Sequence, residues 1–341
     1  MRAVALTQHL PVTDANALVD LELPAPEPGP HDLLVRVHAV SVNPVDTKVR
    51  RPKPGVGVLP APRVLGWDAA GRVEAVGSEV RRFRPGDEVY YAGSITRAGC
   101  NSELHTVDER IVGRKPRSLD FAEAAALPLT ALTGWEALFD RLAVRPGAGG
   151  SLLIIGGAGG VGSLAIQLGR HAGLQVIATA SRPETQAYCR ELGAQLVIDH
   201  RQPLREQLKA GGFEQVDSIL NTADTAGYWD ACCELVAPLG GICSIVETSQ
   251  PLALGALMGK SARFAWELMF TRSRFGVDLE AQGRVLDQVA ELVDKGVLRT
   301  TLTARRSPIC AAMLLEAHAL LESGRAMGKL VIEGWADGAA R

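Results

Sequence analysis

Ser151-Leu152-Leu153-Ile154-Ile155-Gly156-Gly157-Ala158-Gly159-Gly160-Val161-Gly162 is the stretch that decides the fold of this chain. Its first five residues form an apolar run bounded by glycine and read as a buried strand. Gly157 to Gly162 fit G-x-G-x-x-G, and Ser163–Ala172 continues with apolar residues at helical spacing. Alone the glycine pattern is weak. Between a strand and a helix it has the context that a dinucleotide-binding turn needs. Gly157 permits a sharp turn, Gly159 lets the backbone approach a pyrophosphate, and Gly162 lets the helix pack tightly on the strand. Free N–H groups at the start of the Ser163 helix then face the phosphates, where the helix dipole also favours negative charge, and Gly160 and Val161 of the turn are nominated with the three glycines as cofactor contacts.

Working outward, strands read at Gln175–Ala180, Gln195–Asp199, Val216–Asn221 and Gly241–Val246, alternating with helices at Glu184–Leu192, Leu204–Lys209 and Tyr228–Val236. This alternation predicts an α/β domain whose parallel sheet is covered on both faces. Ligands sit at the carboxyl ends of such strands, which nominates Asn221, Ser244, Ile245 and Val246. Upstream, Asp120–Leu127 and Leu132–Leu142 read as helices. The first 120 residues are different in texture: short apolar runs at Leu33–Val42, Arg72–Val76 and Glu88–Ala92 lie between Pro/Gly turns, predicting a β-rich domain. Lys48–Arg63, rich in Pro and Gly, reads as a surface loop. After about residue 271 a helix at Leu279–Asp294, β-like pieces at Leu298–Thr303 and Leu330–Glu333, and a helix at Pro308–Glu322 form a tail that need not join the parallel sheet.

The 341 residues suit two domains, and 47% hydrophobic with 22% charged residues is a globular composition. With 36 basic against 38 acidic residues the net charge is −2, which gives no reason to expect a nucleic-acid or membrane partner. No signal-like segment or run of membrane-spanning length is present, so a cytoplasmic protein is expected. The six cysteines form no CxxC pair and read as reduced, mostly buried thiols.

NAD-binding turns place a carboxylate about 20 residues beyond the glycines. Here the second strand ends in Ala180-Ser181-Arg182. A hydroxyl and a guanidinium suit a 2′-phosphate, so NADPH is expected over NADH, with His200 as a further phosphate contact. The alternative for Arg182 is a solvated residue at a helix start.

Several motifs resemble a known family. Ser41-Val42-Asn43-Pro44-Val45-Asp46, Gly66-Trp67-Asp68-Ala69-Ala70-Gly71, Pro85-Gly86-Asp87-Glu88-Val89, Ala124-Ala125-Ala126, Leu132-Thr133-Gly134 and the glycine turn together resemble the medium-chain dehydrogenase/reductases, in their quinone oxidoreductase branch, the group that includes ζ-crystallin. The resemblance implies a GroES-like β-rich catalytic domain built from residues 1–125 and 272–341. It implies a Rossmann domain at 126–271 and an active site in the cleft between them. Zinc-bearing members hold the catalytic metal on Cys, His and Cys; the matching positions here are Asn43, Trp67 and Leu129. None is a zinc donor. The structural zinc of the superfamily needs four closely spaced cysteines, and Cys100 is the only one before Cys189. No metal is expected.

Without zinc nothing strong stabilises an alkoxide. Hydride transfer from NADPH to a quinone or an α,β-unsaturated carbonyl needs positioning more than acid catalysis. The resemblance nominates Asn43 and Thr133 as contacts to the nicotinamide end; the alternatives are a turn-forming Asn before Pro44 and a helix Thr bonded to its own backbone. Asp46 reads as an orienting group, Trp67 as a wall of the acceptor pocket or plain core, and Tyr90 or Tyr91 as a wall or proton source. Lys329, in Gly328-Lys329-Leu330, matches a family stretch near the cofactor, with a solvated charge as an equal reading. The expected tyrosine soon after the Asn-x-x-Asp stretch is missing from Thr47–Arg51. The strand-like Phe264–Phe270 predicts a homodimer through an apolar sheet edge. A zinc-type alcohol dehydrogenase-like enzyme and a non-catalytic NADPH-binding protein are the alternatives.

Overall fold

The structure, a computed structural model, describes residues 1–336. It divides into two compact units, Met1–Leu129 with the chain from Phe270 onward, and Thr130–Met269.

The second unit is built on the glycine-turn strand. Ser151–Ile155 is buried along its whole length and lies inside a six-stranded sheet. The strand order is Leu196–Ile198, Gln175–Thr179, Ser151–Ile155, Val216–Asn221, Val236–Ser244, Arg263–Trp266, and every neighbouring pair is parallel. Near-continuous apolar strands of this kind are what helices on both faces require. The Rossmann expectation holds.

In the first unit, Asp32–Ser41 pairs antiparallel with Ala69–Val76, with Leu104–Asp108 and with Lys329–Glu333. The last pairing joins the two ends of the chain: Val331 lies opposite Ser41. The GroES-like, β-rich architecture stands, and the tail belongs with the N-terminal residues.

Two local expectations need correction. Lys48–Arg63 is not all loop: a helix runs Pro44–Arg50 and a strand Val58–Val64 pairs with Arg2–Gln8. The helix starts because Pro44 presets its first turn and the Asp46 carboxylate accepts the Asn43 N–H at 2.6 Å. The helix expected at Leu132–Leu142 begins earlier, as Pro128–Trp135, and continues as a π-helix over Glu136–Arg141. The π-turn sets residues five apart on one face, so Arg141 stands beside buried Glu136 and Glu267.

Candidate cofactor site and polar corner

In the second unit the nominated cofactor residues gather at the carboxyl ends of five neighbouring strands. Gly157, Gly159, Gly160, Val161 and Gly162 follow the first strand, Ser181 and Arg182 the second, and His200 the third. Asn221 ends the fourth strand and Ser244 the fifth, with Ile245 and Val246 just beyond. The glycine turn is held from the next strand: Gly156 N–H donates to Thr179 Oγ1 at 2.9 Å and Gly157 N–H to the Thr179 carbonyl at 3.1 Å.

Each glycine is required for a different reason. A Cβ at Gly162 would lie 2.2 Å from the Gly156 carbonyl oxygen, and one at Gly157 would lie 2.7 Å from the Ala178 methyl. A Cβ at Gly159 would meet only the Gly156 oxygen at 3.5 Å, an ordinary contact. The protein itself does not need glycine at position 159; that space is open beside the first turn of the helix Gly160–His171, where unpaired N–H groups attract anions. The turn therefore fits a pyrophosphate.

At the second strand end, Arg182 is half-buried and its Nε lies 2.9 Å from Glu184 Oε1. Arg201, which sequence reasoning passed over, donates to the Ser181 carbonyl at 2.8 Å and pairs with Asp199. Its neighbour His200 is exposed. The Asn221 amide closes its own turn, donating to Asp224 O at 3.0 Å and accepting from Ala223 N at 3.0 Å, so it shapes the loop at the strand end. Thr133 is buried within the helix Pro128–Trp135.

The first unit gathers Asn43, Asp46, Trp67 and Lys329 into one buried polar corner, together with Asp68, which sequence reasoning left unassigned. Asp46 accepts from Asn43 N and, at 3.1 Å, from Gly66 N; burial pushes its carboxyl up to about 7 against the pull of these N–H groups. Burial also raises Asp68, which accepts from Asn43 Nδ2 at 2.8 Å and Leu129 N at 2.7 Å.

Four nominated residues take definite places here. Lys329 is not a solvated charge: its ammonium is buried and donates to Val42 O, Asn43 Oδ1 and Asp68 Oδ2 at 3.1, 2.5 and 2.9 Å. Asn43 holds that lysine and Asp68 with its own amide, which orients it inward. Trp67 is core: its indole N–H donates to Ser94 O at 3.2 Å and its ring meets Phe270 edge-on at 6.1 Å. Tyr90 is no proton source: fully buried, its hydroxyl donates to Leu286 O at 2.5 Å, and burial raises it well above the usual phenol range. Tyr91 bonds His105, whose buried imidazole is pushed down to about 4 and stays neutral.

Among the described residues, no group of three or more His, Cys, Asp or Glu is arranged to hold a metal ion. No helix among them is long and apolar enough to cross a membrane.

A parallel sheet with a glycine turn at its switch point, in a chain that also forms a β-rich unit from both of its ends, defines an oxidoreductase that takes a nicotinamide dinucleotide. Comparison with known proteins agrees. Residues 29–131 match the alcohol dehydrogenase GroES-like domain and residues 192–332 the zinc-binding dehydrogenase family. A zinc-type alcohol dehydrogenase-like protein of Staphylococcus aureus is 40% identical over 97% of this chain and 99% of its own length. A quinone oxidoreductase of Pseudomonas aeruginosa is 33% identical over 90% of this chain and 92% of its own. The crystal structure of a Rhizobium etli protein named for zinc-dependent alcohol dehydrogenases superposes with TM-score 0.93 at 53% identity, covering 99% of each chain. The chain belongs to the medium-chain dehydrogenase/reductase superfamily.

Proposed function

We propose that this protein is an NADPH-dependent, zinc-independent reductase that passes a hydride to a quinone or an α,β-unsaturated carbonyl. The observation that carries the reading is the donor set at positions 43, 67 and 129. An amide, an indole and an isobutyl group offer no zinc ligands, although the names of the relatives imply the metal. Alcohol oxidation loses its Lewis acid, whereas an electron-poor acceptor needs none. Bound at the glycine turn, NADPH supplies the hydride. The chain's own part is to hold the pyrophosphate on the N–H groups after Gly159, to keep the backbone of Ser244, Ile245 and Val246 at the strand ends, and to grip a 2′-phosphate with Ser181 and Arg182. Arg182 is paired with Glu184 in the structure, and that exposed pair would exchange for the phosphate.

The test is NADPH loss at 340 nm with a panel of quinones, enones and aldehydes, repeated with NADH, with zinc and alcohols in the reverse direction, and in Arg182→Ala. Wild type should turn over quinones or enones with NADPH and gain nothing from zinc. Arg182→Ala should lower the NADPH-over-NADH preference roughly 10- to 100-fold, the value of one charge-assisted contact. Equal use of both cofactors by wild type refutes the NADPH assignment. Zinc-dependent alcohol oxidation favours the dehydrogenase reading, and no turnover with any acceptor favours a binding protein.

The same reading makes the protein a cytoplasmic homodimer. Arg263–Trp266 is the edge strand of the parallel sheet, and Trp266 and Leu268 are 45% and 49% exposed beside it. An uncovered apolar edge invites pairing. Light scattering at micromolar concentration should give twice the chain mass, and Trp266→Lys should shift it to one; a monomeric wild type removes the proposal.

A further inference from the structure

The parallel sheet carries a second concave surface, at the amino ends of its strands. A groove of about 310 Å³ lies where Ser151–Ile155, Val216–Asn221 and Val236–Ser244 begin, beside the loop 142–150. That size is within the range of small-molecule pockets. The length of the strand Ser151–Ile155, about 15 Å, separates it from the glycine turn. Cofactors of such sheets sit at the carboxyl ends, so the fold alone leaves this groove unexplained. Two of its lining residues are strained. Among the described residues four non-glycines have positive φ, and two of them, Ala143 at 55° and Leu239 at 67°, line the groove. Leu239 is also 75% exposed. Glycine takes a left-handed turn without strain, and an exposed leucine gains no burial in return. The charges of the lining do not balance either: Arg145 and Arg263 stand against one carboxylate, Asp217. Asp217 Oδ2 already accepts from Ser151 N at 2.7 Å and Ser151 Oγ at 2.8 Å. Arg263 donates to the Leu142 carbonyl at 2.6 Å, whereas the exposed Arg145 guanidinium holds no hydrogen bond or ion pair among the described residues.

We propose that this groove is a binding site for a small organic anion, a carboxylate or phosphate group on an apolar body, separate from the dinucleotide site. Arg145 is the anion contact: its planar fork is uncommitted and suits either group. Arg263 adds the second positive charge, which leaves a cationic ligand disfavoured. Leu142, Leu174 and Leu239 line the groove for the apolar body. The left-handed turn keeps Leu239 at the rim, where a ligand buries it and offsets the strain. Every lining residue lies in the parallel-sheet unit, so the site is complete within that unit and does not depend on the reductase reading.

The test is calorimetric titration of benzoate and of phenyl phosphate into the full chain saturated with a nicotinamide dinucleotide, which occupies the glycine turn. Inorganic phosphate and benzyl alcohol serve as the two halves of the ligand taken separately. At least one of the aryl anions should bind, and both halves should bind about 10-fold more weakly or not at all. Binding of benzoate alone assigns the site to carboxylates, binding of phenyl phosphate alone to phosphate monoesters, and binding of both to the shared chemistry. Arg145→Gln should weaken the anion about 10-fold or more, the value of one charge-assisted contact. Leu239→Gly should weaken it as well, yet should raise the Tm of the ligand-free protein by about 2 °C, because glycine relieves the turn. A leucine kept only for packing would lower Tm instead. The proposal is overturned if neither aryl anion binds, if inorganic phosphate or benzyl alcohol binds as well as they do, or if affinity is indifferent to either substitution. A Leu239→Gly protein that melts lower than wild type overturns it too.

Discussion

Gly159→Val should leave the apo protein folded and remove its cofactor affinity. The two effects separate because of where the new side chain goes. At Gly162 an added Cβ would sit 2.2 Å from the Gly156 carbonyl oxygen, so even alanine must push the helix Gly160–His171 off the strand. At Gly159 the nearest atom to a new Cβ is 3.5 Å away, and the backbone, with φ −74° and ψ 173°, lies in a region open to any residue. The cost to the apo protein is that of a poor helix cap, about 1 kcal/mol. A valine there fills the space through which a pyrophosphate would reach the first N–H groups of the helix. Losing two such charge-assisted contacts should weaken binding by about 100-fold or more. Calorimetric titration of NADPH and NADH into Gly159→Val, beside a melting curve without cofactor, checks both halves. Unchanged affinity would show that the ligand does not approach over Gly159; a collapsed melting curve would show that the glycine is structural after all. Gly162→Ala, by contrast, should lose stability and affinity together.

The parallel sheet was legible because its signals are local. A buried strand, three glycines at fixed offsets and an amphipathic helix are all contained in about twenty consecutive residues, and each repeats the same message. The polar corner was not legible for the opposite reason. Lys329 reaches Asn43 through the pairing of Val331 with Ser41, a contact between residues at opposite ends of the chain, and nothing near Lys329 in sequence announces it. A solvated lysine and a buried one look alike until that strand pairing is known. Asp68 could have been found, since it sits inside the quoted Gly66–Gly71 motif and a carboxylate amid small and apolar residues calls for a partner. For Tyr90 and Trp67, strand alternation gives a side chain's face and not what fills it: one hydroxyl ends on Leu286 O and one indole on Ser94 O, so Trp67 takes the core place that stood open beside the pocket wall. The π-turn at Glu136 was hidden by an ordinary helical pattern, and Arg141 at its end meets Glu267 from a distant strand end, a contact that nothing local announces.

That cluster gives the protein a pH dependence opposite to the usual one for carboxylates. Glu267 and Glu136 are 3% and 1% exposed, and they share one guanidinium: Arg141 Nε lies 2.8 Å from Glu267 Oε2 and its Nη2 lies 3.9 Å from Glu136 Oε2. One cation cannot neutralise two buried carboxylates, so the pair retains a proton. Burial first, and then the Glu136 charge, push Glu267 from 4.5 up to about 9, with Arg141 pulling the other way. The nearby Cys243 thiol is pushed to about 12, again mainly by burial, and stays neutral across the same range. Between the unfolded and folded values of Glu267 the folded chain binds the extra proton, so stability falls as pH rises. The contribution is fully present below about 4.5 and is lost progressively as pH climbs through about 9. Glu267→Gln cannot ionise, and its amide keeps both a donor and an acceptor beside Glu136 and Arg141. It should therefore melt higher than wild type at about pH 9, by about 1–4 kcal/mol, the range by which neutral replacements relieve buried charge. At about pH 5 the two proteins should melt nearly together, because wild type then carries the same proton. Glu136→Gln should behave alike, since the proton belongs to the pair and not to either residue. Melting curves at about pH 5, 7 and 9 that stay parallel for wild type and both variants would mean that the two carboxyls ionise independently, and that the π-turn is held by packing alone.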